Sequence, residues 1–128
     1  MKASLFALFV GLLITGCGEQ VKKETWIKEI IATGLSERND VLKDDWAVDY
    51  DVYRDDKNDG VCYEYITRES TEFDSVELKA NLVSLVRTIT LKDSRTKTAL
   101  ESGIYLRFIY KTQGGQILGD QIITSSDL

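Results

Sequence analysis

The sequence predicts an α+β fold in which an antiparallel sheet of about four strands, built from two hairpins, carries two helices packed on one face. Two pairs of alternating apolar and polar runs, each pair separated by a turn-rich segment, indicate the hairpins. Two segments with apolar residues at helical spacing indicate the helices. Their order along the chain is α-ββ-α-ββ.

The first helix is expected within residues 19–34. Trp26, Ile27, Ile30 and Ile31 recur at helical spacing, and Gly34 fits the C′ position that follows a helix. The polar residues between them have mixed charge. This favours packing against the sheet over a helix on a membrane surface, which is richly basic.

The first hairpin is expected from residues 46–54 and 61–67, joined by the turn formers of residues 55–60. The alternation places Ala47 with Asp49 on one face of the first strand, and Trp46 with Tyr50 on the other. Four aromatic residues can then form a stripe on one face of the hairpin: Trp46, Tyr50, Tyr63 and Tyr65. Such a stripe is usually the core side of a sheet, and an exposed one is a candidate partner site.

The second helix is expected over about residues 72–90, with an N-cap at Ser70 or Thr71 and a broad apolar surface. Residues 92–102 are polar and fit either a loop or a short helical turn. The second hairpin then pairs two apolar-patterned runs around Gly114 and Gly115.

The first 17 residues resemble the leader of a bacterial lipoprotein. One cation, Lys2, precedes an apolar run that is shorter than the ~20 residues a membrane-spanning helix needs. The run ends in Ile14-Thr15-Gly16-Cys17. This resembles the lipobox, in which a branched apolar residue, a small residue and Gly or Ala precede an invariant Cys. A plain secretory leader that carries a Cys is the alternative.

The resemblance implies that the chain is cut before Cys17 and that the Cys17 sulfur carries lipid, which anchors the protein stably to a membrane. Residues 1–16 are then the signal peptide, residues 17–23 a lipidated cysteine with a short tether, and residues 24–128 one α+β domain. Gram-negative lipoproteins retained in the inner membrane tend to have Asp after the cysteine, where this chain has Gly18. The resemblance therefore implies the periplasmic face of the outer membrane, and a Gram-positive cell surface stays open.

Composition argues against several classes of function. Residues 17–128 contain 15 basic and 21 acidic residues, a net charge of −6, which argues against nucleic-acid binding. The sequence contains no His, so Ser-His-Asp and Cys-His sites cannot form and the commonest zinc ligand is missing. We therefore expect a protein that is not an enzyme and that uses no cofactor and no metal.

If Cys17 is lipidated, Cys62 has no second thiol in the chain. It is then either a buried, inert thiol or one that is reactive or forms an intermolecular disulfide. Without lipidation, a bridge between Cys17 and Cys62 becomes possible.

Eight Asp residues lie between positions 40 and 59. Residues 55–60 partly resemble an EF-hand loop but have Lys57 at position 3, and Ile66 stands where the bidentate Glu is required. A solvated turn is the favoured interpretation over a calcium site. Asp49 and Asp51 share one strand face about 6.5 to 7 Å apart, a spacing that paired-carboxylate hydrolysis can use, but no long loops build a substrate cleft.

Two functional hypotheses remain. The first is a lipid-anchored, non-enzymatic protein that binds another protein, as an accessory or assembly factor of an outer-membrane machine. The alternative is an immunity or inhibitor lipoprotein that neutralises a cationic toxin or cell-wall hydrolase through the acidic residues Asp49, Asp51, Asp55 and Asp56.

Overall fold

A four-stranded sheet forms the centre of the domain in the computed structural model, which describes residues 21–68 and 74–128. Its strands, in their order across the sheet, are β1 (Ala47–Arg54), β2 (Gly60–Thr67), β3 (Tyr105–Thr112) and β4 (Ile117–Ile123). β1 pairs antiparallel with β2, and β3 with β4, which confirms both predicted hairpins. The α+β fold class is confirmed as well.

The centre of the sheet differs from the prediction, because the sheet is mixed and not purely antiparallel. β2 and β3 run parallel, with Tyr63 opposite Phe108 and Tyr65 opposite Tyr110. Parallel neighbours need a crossover of about a dozen residues or more. The helices α3 (Ser75–Lys92) and α4 (Ser94–Glu101) provide it, because they carry the chain from the end of β2 back to the level at which β2 begins.

The helices α1 (residues 21–36) and α3 pack on the same face of the sheet, as predicted. Ile27 of α1 and Leu82 and Val86 of α3 belong to one buried core that also contains Val61 and Leu106 of the sheet. The shorter helices are α2 (Arg38–Lys43), which contacts β1, and α4. α4 lies within residues 92–102, for which the sequence allowed either a loop or a short helical turn. Within the two described ranges, every helix is too short or too polar to cross a bilayer.

The ends of the long helices differ in part from the prediction. Asp74 caps α3, since its carboxylate accepts hydrogen bonds from the backbone N–H groups of Val76 and Glu77 at 2.9 and 3.0 Å. The cap predicted at Ser70 or Thr71 lies outside the described residues. The same holds for residues 19–20 of the first predicted helix, whereas residues 21–23, assigned to the tether, are helical.

Gly34 does not end α1, because the helix continues to residue 36. A Cβ atom at Gly34 would lie 3.0 Å from Val52 Cγ2 and 3.1 Å from Tyr63 Cε1. The Gly34 carbonyl also accepts a hydrogen bond of 2.9 Å from the buried hydroxyl of Tyr50. The glycine therefore serves close packing of α1 on the sheet and not helix termination.

The start of β1 contains an irregularity that the alternation did not predict. The register shifts between Ala47 and Asp49. Ala47 is therefore buried, with 4% of its surface exposed, although the pattern placed it with Asp49 on the opposite face. Val48 is the extra residue of this bulge, so Ala47 lies opposite Thr67 and no longer alternates with Asp49 as the pattern requires.

Candidate functional site

An aromatic floor covers the helix-facing side of β1, β2 and β3. The ring of Tyr65 stacks on Tyr110 with 4.7 Å between centroids, and Tyr63 stacks on Phe108 at 4.8 Å. Trp46 lies 5.4 Å from Tyr65. The two stacked pairs are opposite one another in the parallel register of β2 and β3, so alternation along each strand brings them together, whereas Trp46 immediately precedes β1. The predicted stripe is confirmed on the core side of the sheet for Tyr50, Tyr63 and Tyr65. Trp46 contacts it but is 36% exposed, and Phe108 and Tyr110 extend the stripe beyond the first hairpin.

Two helical walls stand over this floor and leave a groove between them. One wall is α1, which contributes Trp26, Ile30 and Thr33. The other is the end of α3 together with α4, which contributes Leu85 and Ile89 among others. The space between the walls is about 540 Å³. We call this space and its lining the aromatic groove.

The wall formed by α3 exposes apolar side chains on the groove side. Leu85 is 49% exposed and Ile89 is 39% exposed, and they lie one helical turn apart. The sheet-facing side of α3 is already filled by Leu78, Leu82 and Val86. Leu85 and Ile89 therefore add an apolar strip that the core of the domain does not use. Contiguous exposed apolar surface of this kind is typical of a binding site.

Acidic residues predominate around the groove. Glu29 and Glu37 border it from α1, and Asp93 and Arg95 border it where α3 meets α4. Arg95 Nε lies 3.4 Å from a carboxylate oxygen of Asp93, so those two charges offset each other. The rim as a whole carries two more negative than positive charges, and this favours a ligand with an apolar centre and basic flanks.

The floor of the groove offers tyrosine hydroxyls. Burial raises the pKa of Tyr63 and of Tyr65 above the ordinary value for tyrosine. Both hydroxyls therefore stay protonated at neutral pH and act as hydrogen-bonding groups. Neither His nor Cys lines the groove among the described residues.

The four Asp residues predicted as a partner-binding surface lie in different surroundings. Asp49 accepts a hydrogen bond from the backbone N–H of Tyr50 and forms an ion pair of 2.7 Å with Arg38. These two contacts lower the pKa of Asp49. Asp51 accepts only from the backbone of Val52 among the hydrogen bonds of the described residues. Asp56 is exposed in the β1–β2 turn, where its φ of 53° is left-handed.

Asp55 is part of an internal network on the sheet face opposite the helices. Its side chain is 15% exposed and accepts a 2.5 Å hydrogen bond from the hydroxyl of Tyr105. The guanidinium of Arg107 lies 3.3 Å from the other carboxylate oxygen of Asp55. The same guanidinium forms an ion pair of 2.6 Å with the carboxylate of Asp120. These contacts, the Tyr105 bond first, lower the pKa of Asp55. Asp55 is therefore occupied within the domain, unlike Asp51 and Asp56.

The same network surrounds the thiol of Cys62, which is 1% exposed. Burial, and then the nearby Asp55, raise the pKa of Cys62 to about 12. Between the two interpretations of Cys62, these surroundings favour the buried, inert thiol.

The β1–β2 turn is not arranged as a metal loop. Asp59 faces Arg54 at 3.1 Å and Lys23 at 3.7 Å, and Asp55 faces Arg107. Residues 21–68 and 74–128 contain no group of three or more side chains placed to hold a metal ion.

The sequence did not identify Leu85, Ile89, Glu29 and Glu37 as site residues. The available signal was the width of the apolar surface on the second predicted helix. That surface covers more of the helix than contact with one sheet requires. The side of the groove formed by α1 had no comparable signal, because Glu29 and Glu37 look like ordinary solvated charges.

No family model matches the sequence, and no curated protein matches it. Among solved structures, the type II secretion system pilotin AspS from Vibrio cholerae is 16% identical with a TM-score of 0.45, over 85% of this chain and 97% of that chain. EpsS, the type 2 secretion system pilotin from Vibrio vulnificus, is 15% identical with a TM-score of 0.46, over 84% and 96%. At these scores the likeness supports no assignment of function.

Proposed function

We propose that this protein is a lipid-anchored, non-enzymatic accessory or assembly factor of an outer-membrane machine, and that it holds a segment of a partner protein in the aromatic groove. The exposed apolar strip of Leu85 and Ile89 beside an aromatic floor carries this proposal. A domain that needed these residues only for its own core would bury them.

An amphipathic helix is the partner segment that fits the groove best. Helices that bind in grooves insert apolar residues at i, i+3, i+4 and i+7 between two walls. The walls here are themselves helices, and the wall residues Leu85 and Ile89 stay partly exposed as the rim of such a groove would. The acidic rim at Glu29 and Glu37 favours basic residues beside the apolar face of the partner.

The proposed location follows from the lipobox resemblance. Lipid on Cys17 would hold the domain at a membrane, and Gly18 favours the periplasmic face of the outer membrane. The protein would then meet its partner beside the bilayer in which the machine is built. Restricting both molecules to one surface raises their effective concentration, so that even a weak groove contact becomes productive.

The alternative, neutralisation of a cationic toxin or cell-wall hydrolase by the acidic residues, has less support. Asp49 is paired with Arg38, and Asp55 is bound by Tyr105 and Arg107. Only Asp51 and Asp56 of the four predicted residues present carboxylates without a side-chain partner among the described residues.

A matched pair of leucines tests the groove. Leu85 lines the groove, and Leu91 on the same helix is 88% exposed and lies outside the groove lining. A photo-crosslinking amino acid at position 85 in living cells should capture a discrete envelope protein, and the same amino acid at position 91 should not. Ile89→Asp should abolish the cross-link from position 85, because it places a charge beside the apolar strip.

The functional form of the test uses a deletion strain that has lost the assembled machine. Wild-type protein and Leu91→Asp should restore assembly, whereas Leu85→Asp should not. Equal complementation by both variants would show that the groove is not the binding site. Cys17→Ser, followed by mass spectrometry of the N-terminal peptide and membrane fractionation, tests the anchor separately.

A further inference from the structure

Ion pairs join α1 to the β1–β2 turn at the end of the domain where α1 begins. Lys23 Nζ lies 3.7 Å from a carboxylate oxygen of Asp59. Arg54 pairs with Glu24 on α1 and with Asp59 at 3.1 Å. These contacts fix the turn beside the first residues of the helix. We call the surface formed by residues 21–24 and 54–59 the tether end.

The tether end is the part of the domain that a short anchor keeps near the membrane. Three residues lie between Cys17 and residue 21, so the four Cα-to-Cα steps between them span at most about 14 Å. β2 begins beside the tether end and contains 8 residues, which extend about 26 Å. Because β3 runs parallel to β2, the β3–β4 turn lies at the far end of the sheet, well beyond the reach of the tether.

The charge of the tether end differs from that of the remaining domain. Its four basic residues balance its four acidic residues: Lys22, Lys23, Arg54 and Lys57 against Glu24, Asp55, Asp56 and Asp59. Of the net charge of −6 carried by residues 17–128, −1 comes from Glu19 in the tether and −5 from residues 25–53 and 60–128. The tether end has no net charge, so its charge does not oppose contact with anionic headgroups. Val21, which is 60% exposed, adds an apolar side chain next to the tether.

We propose that the tether end is a membrane-contact surface that rests on the lipid headgroups, with the β3–β4 turn pointing away from the bilayer. This inference rests on the lipid anchor of the proposed function. α1 then rises from the membrane, and the groove that it lines from Trp26 to Glu37 lies above the headgroups and stays open to a partner. Asp55 and Asp56 lie at the headgroups, where a soluble partner does not reach them.

Two fluorescent probes measure this orientation in the mature lipidated protein. Lys57→Cys places a thiol in the tether end, and Gln113→Cys places one in the β3–β4 turn, both at exposed positions. Cys62 is buried and should stay unlabelled. The unsubstituted protein, treated with the same probe, is the control. The labelled proteins are reconstituted in vesicles of phosphatidylethanolamine and phosphatidylglycerol that contain a lipid with a quencher on its headgroup. We expect quenching at position 57 to be several times stronger than at position 113.

Vesicle flotation of the same samples distinguishes a wrong orientation from a missing lipid anchor. If the protein floats and both probes are quenched equally, or position 113 more strongly, the orientation is wrong and the anchor stands. If the protein carries no lipid at Cys17 and does not float, the anchor and the orientation both fall. Cys17→Ser should remain unbound, which shows that the tether end contacts the membrane only when the lipid holds it there.

Discussion

Gly34→Ala tests whether α1 packs as closely on the sheet as the groove requires. In an exposed helix this substitution would stabilise the protein by about 1 kcal/mol, because alanine is the better helix former. Here the new Cβ would lie 3.0 and 3.1 Å from the two γ-methyl groups of Val52 and 3.1 Å from the ring of Tyr63. Carbon atoms pack best at about 3.5–4.0 Å, so each contact is too short by roughly half an ångström.

Val52 cannot yield easily, because it is 3% exposed and belongs to the buried core. Overpacking of this kind costs about 1–3 kcal/mol. With a cost of about 2 kcal/mol against the helix gain of about 1, Gly34→Ala should lower the free energy of unfolding by about 1 kcal/mol. The midpoint of thermal unfolding should then fall by about 4 °C.

Urea unfolding of residues 17–128 carrying Cys17→Ser, with and without Gly34→Ala, measures the difference. Gly114→Ala is the matched control. Its added Cβ meets nothing closer than 3.8 Å, so its effect should stay within about 0.5 kcal/mol. A stabilisation by Gly34→Ala would refute the reasoning, because it would mean that α1 stands farther from the sheet and that the groove has a different shape.

The buried thiol, the ion network and the acidic surface each allow a further test. Cys62 should react with a disulfide reagent at neutral pH only after unfolding, since its pKa is raised to about 12; a disulfide-linked dimer on a non-reducing gel would contradict this. The lowered pKa of Asp55 means that its stabilising contribution is complete above about pH 4 and is lost as the pH falls through the folded-state pKa. Asp55→Asn should therefore lower stability by about 2 kcal/mol at pH 7, with a smaller difference in acid, and equal differences in urea unfolding at both pH values would argue against the network. Asp51→Lys combined with Asp56→Asn should leave machine assembly unchanged, and loss of protection against a toxin would instead favour the immunity alternative.

Local patterns in the sequence predicted the hairpins because each hairpin depends on residues close together in the chain. The turn before Gly60 and the turn at Gly114 and Gly115 specify where the chain reverses, and Gly115 does adopt a positive φ of 90°. The parallel pairing of β2 with β3 could not be predicted in this way. It depends on the path of the chain through α3 and α4. The polar pattern of residues 92–102 fitted a loop as well as a helix, so it did not predict α4.

Gly34 shows the same limit at a single residue. A glycine near the end of an apolar periodic segment is usually a helix terminator, and the sequence supports that interpretation equally well. Its role in packing becomes apparent only when Val52 and Tyr63, which are distant in the chain, lie opposite it. The excess apolar width of α3 is a comparable case. The sequence shows the width, but only the structure shows that Leu82 and Val86 fill the core and that Leu85 and Ile89 are the surplus.

The two ends of α1 have different consequences for the groove. At its far end, Gly34 lets the helix lie close to β1 and β2, and the hydroxyl of Tyr50 holds it there through the Gly34 carbonyl. At its near end, Glu24 is bound to Arg54 of the turn. Contacts at both ends hold α1 in place, so the groove wall loses little conformational entropy when a segment binds. Gly34→Ala, which places a Cβ against Val52 at one end of this wall, should therefore weaken the cross-link from position 85.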